Sequence, residues 1–285
     1  MTSKPLVSIY ITTHKRVELL PRAIDSVLAQ TYRPIEIIVV DDASKDSTID
    51  LLKQYKQSLI GKNDVSFSYF EQPENKGACA ARNYAIANAK GEFITGLDDD
   101  DEFFPFRIQQ MIENWDDKYS ALCSSIEVDD GGNQISYLDR EVGEITLDKL
   151  LKRNTVGSQI FTKTSNLRDI EGFDITFPAW QDYECWIRII DRFGSVLKLK
   201  EPSYRFHRGH DKPRITSDHR SLEAIKLITQ KHGHRLNSHQ RRRLKYKELM
   251  AEKHSYSNLI DWLPAMTLRT FPRILRRWAK VMLDL

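Results

Sequence analysis

Four consecutive aspartates, Asp98 to Asp101, follow an apolar, strand-like run from Glu92 to Leu97. Adjacent carboxylates repel one another, so we expect a fold to keep them at a strand end where a cation compensates their charge. Because successive side chains of a strand point to opposite sides, Asp98 and Asp100 should project together and Asp99 away from them. Two converging carboxylates suit Mg²⁺ or Mn²⁺, which prefer oxygen ligands and often bridge to phosphates. The alternative is a solvated acidic loop that caps a following helix.

Other polar side chains that could do chemistry also follow predicted strands. Thr12, Thr13 and His14 come after the first strand, and Asp41 and Asp42 come after the second. Taken singly, His14 is explained as a surface histidine and the two aspartates as helix caps. Together with the aspartate run, these groups share one edge of one sheet. The combination predicts a pocket for a nucleotide whose diphosphate is held through a metal ion.

The elements that must position these groups alternate between strand and helix through the first hundred residues. Continuously apolar or β-branched runs predict buried strands, and apolar residues at helical spacing predict helices. The predicted strands are 7–12, 35–40, 65–70 and 92–97, and the predicted helices lie over 19–30, after 44 and over 78–90. This order predicts an α/β fold with a doubly wound, mainly parallel sheet that binds ligands outside the carboxyl ends of its strands.

The second part of the chain is less regular. Apolar spacing predicts a helix near 108–115, and a strand is expected over 121–128. The segment Asp129-Asp130-Gly131-Gly132-Asn133 is typical of a hairpin turn that leads into a strand over 135–138. A further helix is predicted over 180–193, and its apolar residues are expected to be core. We therefore expect a mixed second half continuous with the parallel sheet.

Five segments between residues 7 and 101 form a recognisable series. They are Val7-Ser8-Ile9-Tyr10-Ile11-Thr12-Thr13-His14-Lys15-Arg16, Ile37-Ile38-Val39-Val40-Asp41-Asp42-Ala43-Ser44, Asn75-Lys76-Gly77, Ala81-Arg82-Asn83 and Leu97-Asp98-Asp99-Asp100-Asp101. In this order, and over roughly residues 5–207, the chain resembles family 2 glycosyltransferases. The resemblance implies the GT-A fold and an inverting enzyme of the type found in bacterial polysaccharide or lipopolysaccharide biosynthesis.

The resemblance implies a nucleotide site at this sheet edge. Thr12 and His14 would line the nucleoside pocket, where His14 stands in place of the family's more usual tyrosine and could stack on uracil. Asp42 would accept a hydrogen bond from the base, and Asp99 would lie near the ribose. The expected donor is a nucleotide sugar, with UDP as the nucleotide.

The resemblance also implies a metal site that would hold Mn²⁺ or Mg²⁺. Asp98 and Asp100 would form the DxD motif, with Asp100 as the direct ligand. The segment Tyr204-Arg205-Phe206-His207 is similar to one in which GT-A enzymes place a histidine near the metal. His207 is therefore a candidate ligand, with a structural role as its alternative and His210 as a rival.

A catalytic segment is implied by Gly172-Phe173-Asp174 and the run from Trp180 to Arg188. In the family, an acidic pair precedes a helix bearing a tryptophan, and its second member is the general base. Here Gln181 replaces the first acid and Asp182 takes the base position. Asp182 could also be an acid favoured by the helix dipole. Glu184 is the rival base, but two residues along a helix point it far from Asp182.

Two other classes of function compete with glycosyl transfer. A nicotinamide-dependent oxidoreductase would share the alternating pattern, but the turn after the first strand lacks the GxGxxG glycines. A non-catalytic nucleotide-sugar-binding or scaffold protein would fit if Gln181 reflected a degenerate site. Asp182 and the complete aspartate run argue for an enzyme. For such an enzyme, one base opposite the leaving group predicts single displacement with inversion.

Composition bounds the cellular setting. The three cysteines have no metal-like spacing and fit a reducing cytosol. The N-terminus lacks the apolar core of a signal peptide, and no apolar run approaches the ~20 residues of a spanning helix. We expect a cytoplasmic protein, at most peripheral on the inner face of the cell membrane.

The C-terminal region is strongly basic, with 12 Lys or Arg and 4 Asp or Glu from residue 235 to 285. Its last 15 residues have the spacing of a basic amphipathic helix with a tryptophan, which is typical of peripheral membrane segments. Packing of this face on the catalytic domain or on a second subunit is the alternative, and a nucleic-acid role is not expected. A lipid-linked or glycan acceptor would fit membrane contact.

We therefore divide the chain into a GT-A catalytic domain over 1–210 and a basic helical extension over 211–285. Within the catalytic domain, 1–101 is the expected nucleotide-binding half and 102–210 the acceptor half.

Overall fold

The computed structural model describes residues 4–131, 135–138, 141–208, 218–252 and 259–283. Within these ranges, ten strands form one sheet that is flanked by helices. Gly132 and Asn133 of the expected hairpin turn, the rival ligand His210 and the C-terminal Leu285 lie outside them. The strands are β1 Val7–Thr13, β2 Ile35–Asp41, β3 Val65–Glu71, β4 Phe93–Asp98, β5 Glu102–Phe103, β6 Ala121–Asp129, β7 Ile135–Leu138, β8 Gly143–Ile145, β9 Phe161–Lys163 and β10 Val196–His207. The α-helices are α1 Leu20–Leu28, α2 Thr48–Ser58, α3 Ala78–Asn88, α4 Arg107–Glu113, α5 Leu147–Lys152, α6 Thr164–Asp169, α7 Gln181–Phe193, α8 Asp218–His232, α9 Ser238–Ala251 and α10 Phe271–Leu283.

The first four strands form the doubly wound half predicted from the sequence. They lie in the order β3-β2-β1-β4 and all pair in parallel. In this register Thr13 lies opposite Asp41, and Thr12 lies opposite Asp98. Parallel strands end at the same sheet edge, so the polar residues that follow each strand are brought together there.

The second half continues the same sheet with mixed pairing. β9 pairs antiparallel with both β4 and β6, and β10 runs parallel to β6. β5 joins the edge antiparallel to β10, while β7 and β8 pair with β6 and β10. The expected mixed half, continuous with the parallel one, is confirmed.

The core lies on both faces of the sheet, and one face includes part of the C-terminal extension. On the first face, β1 and β2 pack beneath α1, α2 and α4. On the second face, buried residues of α3, α5 and α7 meet Ile228 of α8 and Leu244 of α9. These residues share one cluster with Trp186, which lies on α7. Helices α8 and α9 of the extension therefore pack directly onto the acceptor half.

The basic amphipathic helix predicted at the C-terminus is present as α10, and its apolar face is partly covered. Ile274 is fully buried with Leu249, Trp262 and Ala265. Phe271 is 48% exposed, and Leu275 and Met282 are also exposed. The extension therefore has a small core of its own beside an open apolar surface. In the described residues, no helix is long and apolar enough to cross a membrane.

Candidate active site

The aspartate run forms a turn at the end of β4. Residues 99 and 100 leave the strand, so the expected alternation of side chains past Asp98 is wrong. Instead, Arg16 Nη1 lies 2.9 Å from Asp99 Oδ1 and 3.0 Å from Asp100 Oδ2. Arg22 of α1 donates to the Asp100 carbonyl oxygen. Two arginines near the start of α1 therefore hold the turn in place.

Asp98, the last residue of β4, contacts residues of α3 and of the loop before β9. Its Oδ1 accepts from Arg82 Nη2 at 3.2 Å and from Gln159 Nε2 at 3.0 Å. Gln159 crosses β4 at Gly96, where a Cβ atom would lie only 2.1 Å from the Gln159 Oε1. A larger residue at position 96 would therefore force the side chains of Gln159 and Tyr10 to shift. Burial raises the pKa of Asp98, although Arg82 opposes the shift.

Asp101 is fully buried and ties the turn to β10. The Tyr204 hydroxyl donates to its carboxylate at 2.6 Å, and the His207 backbone N–H donates at 3.0 Å. Burial, followed by the charges of Asp98 and Asp100, raises its pKa. Burial also raises the pKa of Asp99 to about 6, against the opposing effect of Arg16. Three arginines, Arg16, Arg22 and Arg82, thus contact a turn that carries four crowded carboxylates.

The carboxylate oxygens gathered at this turn fit a hard divalent cation. Mg²⁺ and Mn²⁺ sites of this kind commonly use one or two carboxylates together with substrate phosphates. Among the described residues, no group of three His, Cys, Asp or Glu is placed to hold a metal. His207 does not join Asp98 and Asp100, because its Nε2 lies 2.5 Å from Glu102 and its Nδ1 lies 3.3 Å from Asp129. A ligand role for His207 would require its ring to leave one of these carboxylates.

The predicted nucleoside residues lie along the neighbouring strand ends. Thr12 is half-buried between β2 and β4, opposite Val40 and Asp98. The His14 Nδ1 lies 2.7 Å from the Asp42 carbonyl oxygen. Thr12, His14 and Asp42 therefore share the sheet edge with the aspartate turn.

Asp42, the predicted partner of the nucleobase, also holds the loop before α3. Its two carboxylate oxygens accept from the backbone N–H groups of Lys76 and Gly77, each at 2.8 Å. Gly77 has a φ of +85°, which glycine adopts without a steric penalty, and it precedes α3. The sequence segment Asn75-Lys76-Gly77 is thus explained as the loop that Asp42 holds.

Arg82 and Asn83 of α3 connect the donor edge to the segment before α7. Besides Asp98, Arg82 donates from Nη1 to Gln181 Oε1 at 3.1 Å. Asn83 exchanges two hydrogen bonds of 2.7 Å with the backbone of Phe173. The neutral Gln181 accepts from Arg82 without adding another negative charge. These long-range partners were not found from the sequence.

Asp182 lies in the first turn of α7 and is half-buried. Its Oδ2 accepts from Asn154 Nδ2 at 3.3 Å. Burial raises its pKa to about 6, while the backbone N–H of Tyr183 and the Arg82 charge act in the opposite direction. A carboxylate with a pKa near the working pH is suited to accept a proton from a hydroxyl.

Glu184, the rival base, is part of the core. Its carboxylate is fully buried and lies 2.7 Å from Arg188, 2.8 Å from Lys231 and 3.1 Å from His232. Burial raises its pKa, but the hydrogen bonds from His232, Arg188 and Lys231 outweigh that effect and lower it to about 2. Glu184 therefore fastens α8 to α7 and is turned away from solvent.

Comparison with known proteins agrees with this site. The sequence profile described as Glycosyl transferase family 2 matches residues 8–175. WcaA of Escherichia coli (strain K12), named as a glycosyl transferase of colanic acid biosynthesis, is 35% identical over 237 residues, which are 81% of this chain and 83% of WcaA. The E. coli UDP-Glc:α-D-GlcNAc-diphosphoundecaprenol β-1,3-glucosyltransferase WfaP is 29% identical, over 72% of this chain and 78% of WfaP. The chain belongs to glycosyl transferase family 2 and is a glycosyltransferase.

A solved structure agrees with the fold. Residues 1–349 of Staphylococcus aureus TarS, crystallised with UDP-GlcNAc, superpose with a TM-score of 0.65 at 18% identity. The match covers 95% of this chain and 79% of that one. The sheet described above is the GT-A fold, as the sequence resemblance implied.

The position of Asp182 leads to a test of its role. Asp182→Asn should lower kcat by about 10² or more with little effect on donor affinity, because only acceptor activation is lost. In the wild type, kcat/KM should fall as pH decreases through about 6, since protonation removes the base. Transfer assays from pH 4.5 to 8.5 measure both effects.

Glu184→Gln is the matched control for Asp182→Asn. It should lower the free energy of unfolding by about 3 kcal/mol, because Arg188 and Lys231 would lose a buried partner. In the wild type, the pKa of Glu184 is lower in the folded state than in the unfolded chain. The stabilisation by Glu184 should therefore be fully present above about pH 4.5 and be lost as the pH falls toward 2. A stable, inactive Glu184→Gln beside a fully active Asp182→Asn would reverse the assignment.

Proposed function

We propose that the protein is a metal-dependent, inverting glycosyltransferase that moves a sugar from a UDP-sugar to a hydroxyl of a glycan or lipid-linked acceptor. The setting is bacterial surface polysaccharide synthesis. The observation that carries the proposal is the double contact of Arg82 with Asp98 and with Gln181, the neighbour of Asp182. The carboxylates suited to the leaving diphosphate and the carboxylate suited to the acceptor thus lie on two sides of one guanidinium.

The donor half binds and orients the nucleotide. Thr12, His14 and Asp42 line the nucleoside pocket, and Asp99 lies near the ribose. Support comes from their common position at the carboxyl ends of β1, β2 and β4. Two similar proteins support UDP as the nucleotide, because WfaP is named for transfer from UDP-Glc and TarS was crystallised with UDP-GlcNAc.

Asp98 and Asp100 would hold Mn²⁺ or Mg²⁺, with His207 as a third candidate ligand. These residues would place a Lewis acid beside the leaving diphosphate, where it would offset the negative charge that develops. The carboxylate oxygens gathered at the turn support this assignment, because Mg²⁺ and Mn²⁺ prefer oxygen ligands.

The acceptor half activates the nucleophile. The acceptor oxygen forms a bond to the anomeric carbon while the bond from that carbon to the diphosphate oxygen breaks. The hydroxyl proton passes to the Asp182 carboxylate in the same step. With one base opposite the leaving group, the configuration at the anomeric carbon is inverted.

The extension supplies a place for contact with the cytoplasmic face of a membrane. Leu268 is 99% exposed, and Phe271 and Leu275 are exposed beside it. Leu268 lies in the turn before α10, whereas Phe271 and Leu275 lie on α10 itself. Arg273 and Arg276 of α10 are also exposed. Exposed apolar and basic side chains on one helix favour an anionic bilayer surface. The WfaP name contains a diphosphoundecaprenol acceptor, which supports a lipid-linked acceptor here.

The metal assignment predicts how Asp100→Ala behaves. The variant should lose transfer and the Mn²⁺-dependent part of UDP binding, while relief of carboxylate repulsion keeps the fold stable. In thermal-shift assays, UDP at 100 times its dissociation constant should add about 2.7 kcal/mol to the wild type with Mn²⁺. Asp46→Ala, which changes an aspartate in another loop, is the control. Equal UDP affinity in wild type and Asp100→Ala, with and without Mn²⁺, would remove the metal role. A wild type that binds UDP-sugars but never transfers would favour the non-catalytic alternative.

The membrane contact predicts that Leu268→Glu weakens vesicle binding by about tenfold, because burial of one leucine contributes about 1.5 kcal/mol or more. Sedimentation with phosphatidylglycerol vesicles measures the change, and added salt should weaken binding further. Ile60→Glu is the matched control, because Ile60 is also an exposed apolar residue but lies in the nucleotide-binding half. Equal sedimentation of wild type and Leu268→Glu would contradict membrane docking through this surface.

A further inference from the structure

Five basic side chains lie where the extension meets the acceptor half, which carries Asp182. We call them the cationic cluster: Arg153, Arg243, Lys247, Arg269 and Arg273. Arg153 directly follows α5, Arg243 and Lys247 lie on α9, and the other two lie at or before the start of α10. Arg153, Lys247, Arg269 and Arg273 remain exposed, so a ligand could reach them.

The fold holds this cluster in place through α9. Gln240 Nε2 donates to the carbonyl and carboxylate oxygens of Asp148 on α5, at 3.2 and 3.0 Å. A capping box between Asn237 and Gln240 fixes the start of the same helix. Arg243 and Lys247 follow one turn apart and so share one face of α9.

The positive charges of the cluster act on one another. Partial burial lowers the pKa of Arg243, and Arg269, Arg153 and Arg273 lower it further. The pKa of Lys247 is lowered to about 8 by partial loss of contact with water, then by Arg243 and Arg153. Among the described residues, neither Arg243 nor Lys247 forms an ion pair, whereas Lys245 on another face of α9 lies 3.0 Å from Glu248. The like charges of Arg243 and Lys247 repel one another on this face of α9, and a bound anion would reduce that repulsion.

The cluster lies next to the proposed base. The Lys247 Nζ lies 4.5 Å from the centroid of the Trp180 ring, and Trp180 precedes Asp182 by two residues. On the other side, Asn154 adjoins Arg153 and donates to Asp182. The cluster is therefore reached from the acceptor side of the site, whereas Arg16 contacts the aspartate turn on the donor side and Arg82 lies between the two sides.

We infer that the cationic cluster binds a phosphate or diphosphate group carried by the acceptor. This inference rests on the proposed function and assigns the acceptor to the class of lipid-linked sugar phosphates. Guanidinium and ammonium groups together match phosphate oxygens, with arginine providing paired donors. The exposed Leu268 and Phe271, close in sequence to Arg269 and Arg273, provide an apolar surface for the lipid. The sugar hydroxyl would then lie toward Asp182.

Inorganic pyrophosphate is a probe for this site. Its dissociation constant is measured calorimetrically in EDTA, with UDP at saturation so that the donor pocket is occupied. We expect Lys247→Gln and Arg243→Gln to bind pyrophosphate about tenfold more weakly than wild type, since each removes a charged contact. Lys245→Gln, which makes the same charge change on another face of α9, should bind as wild type does.

Two further measurements distinguish acceptor recognition from binding of membrane headgroups or of the donor. Binding of the same variants to phosphatidylglycerol vesicles tests whether the cluster recognises membrane headgroups. Thermal shifts with UDP and Mn²⁺ test the donor site, which Lys247→Gln should leave unchanged. Pyrophosphate affinity that is equal in all variants, or a Lys247→Gln defect confined to vesicles, would overturn the inference. Failure of the wild type to respond to UDP would count against the proposed function, whatever the pyrophosphate result.

Discussion

Burial of four adjacent carboxylates at the end of β4 is the constraint on which the rest of the structure depends. Arg16 bridges Asp99 and Asp100, Arg82 contacts Asp98, and Tyr204 donates to Asp101. These partners come from the segment before α1, from α3 and from β10, so neutralising the turn requires distant segments to converge. The convergence also gathers carboxylate oxygens at one sheet edge, which suits a donor that arrives with a divalent cation.

Arg82 extends this constraint to the catalytic half. Its guanidinium lies between Asp98 and Gln181 and packs 5.1 Å from the Phe173 ring centroid. A second acid at position 181 would compete with Asp98 for this guanidinium, so glutamine is compatible with an intact site. Behind α7, Glu184 connects the same helix to α8. The start of α7 is therefore held from both sides, which fixes Asp182 relative to the aspartate turn.

Much of the fold and the donor edge could be predicted from the sequence, because apolar runs and strand-end polar residues are local signals. The parallel order and the gathering of Thr12, His14 and Asp42 follow from that pattern. The predicted alternation of side-chain directions past Asp98 was wrong, because the chain turns there and Arg16 and Arg22 hold the turn by hydrogen bonds. Partners such as Gln159 and the cationic cluster depend on contacts between distant segments, which local periodicity does not contain. The same holds for α10, whose partner Trp262 became evident only in the structure.

The central claim, that Arg82 couples the aspartate turn to the base, is tested most directly by the pH profile of Arg82→Gln. Burial raises the pKa of Asp182 and the Arg82 charge opposes that rise, so removing the charge should move the acid limb of kcat/KM to higher pH. Arg16→Gln, which loses its contacts with Asp99 and Asp100, should lower activity but leave the limb near pH 6. An acid limb that stays in place in Arg82→Gln, or moves equally in Arg16→Gln, would contradict the account.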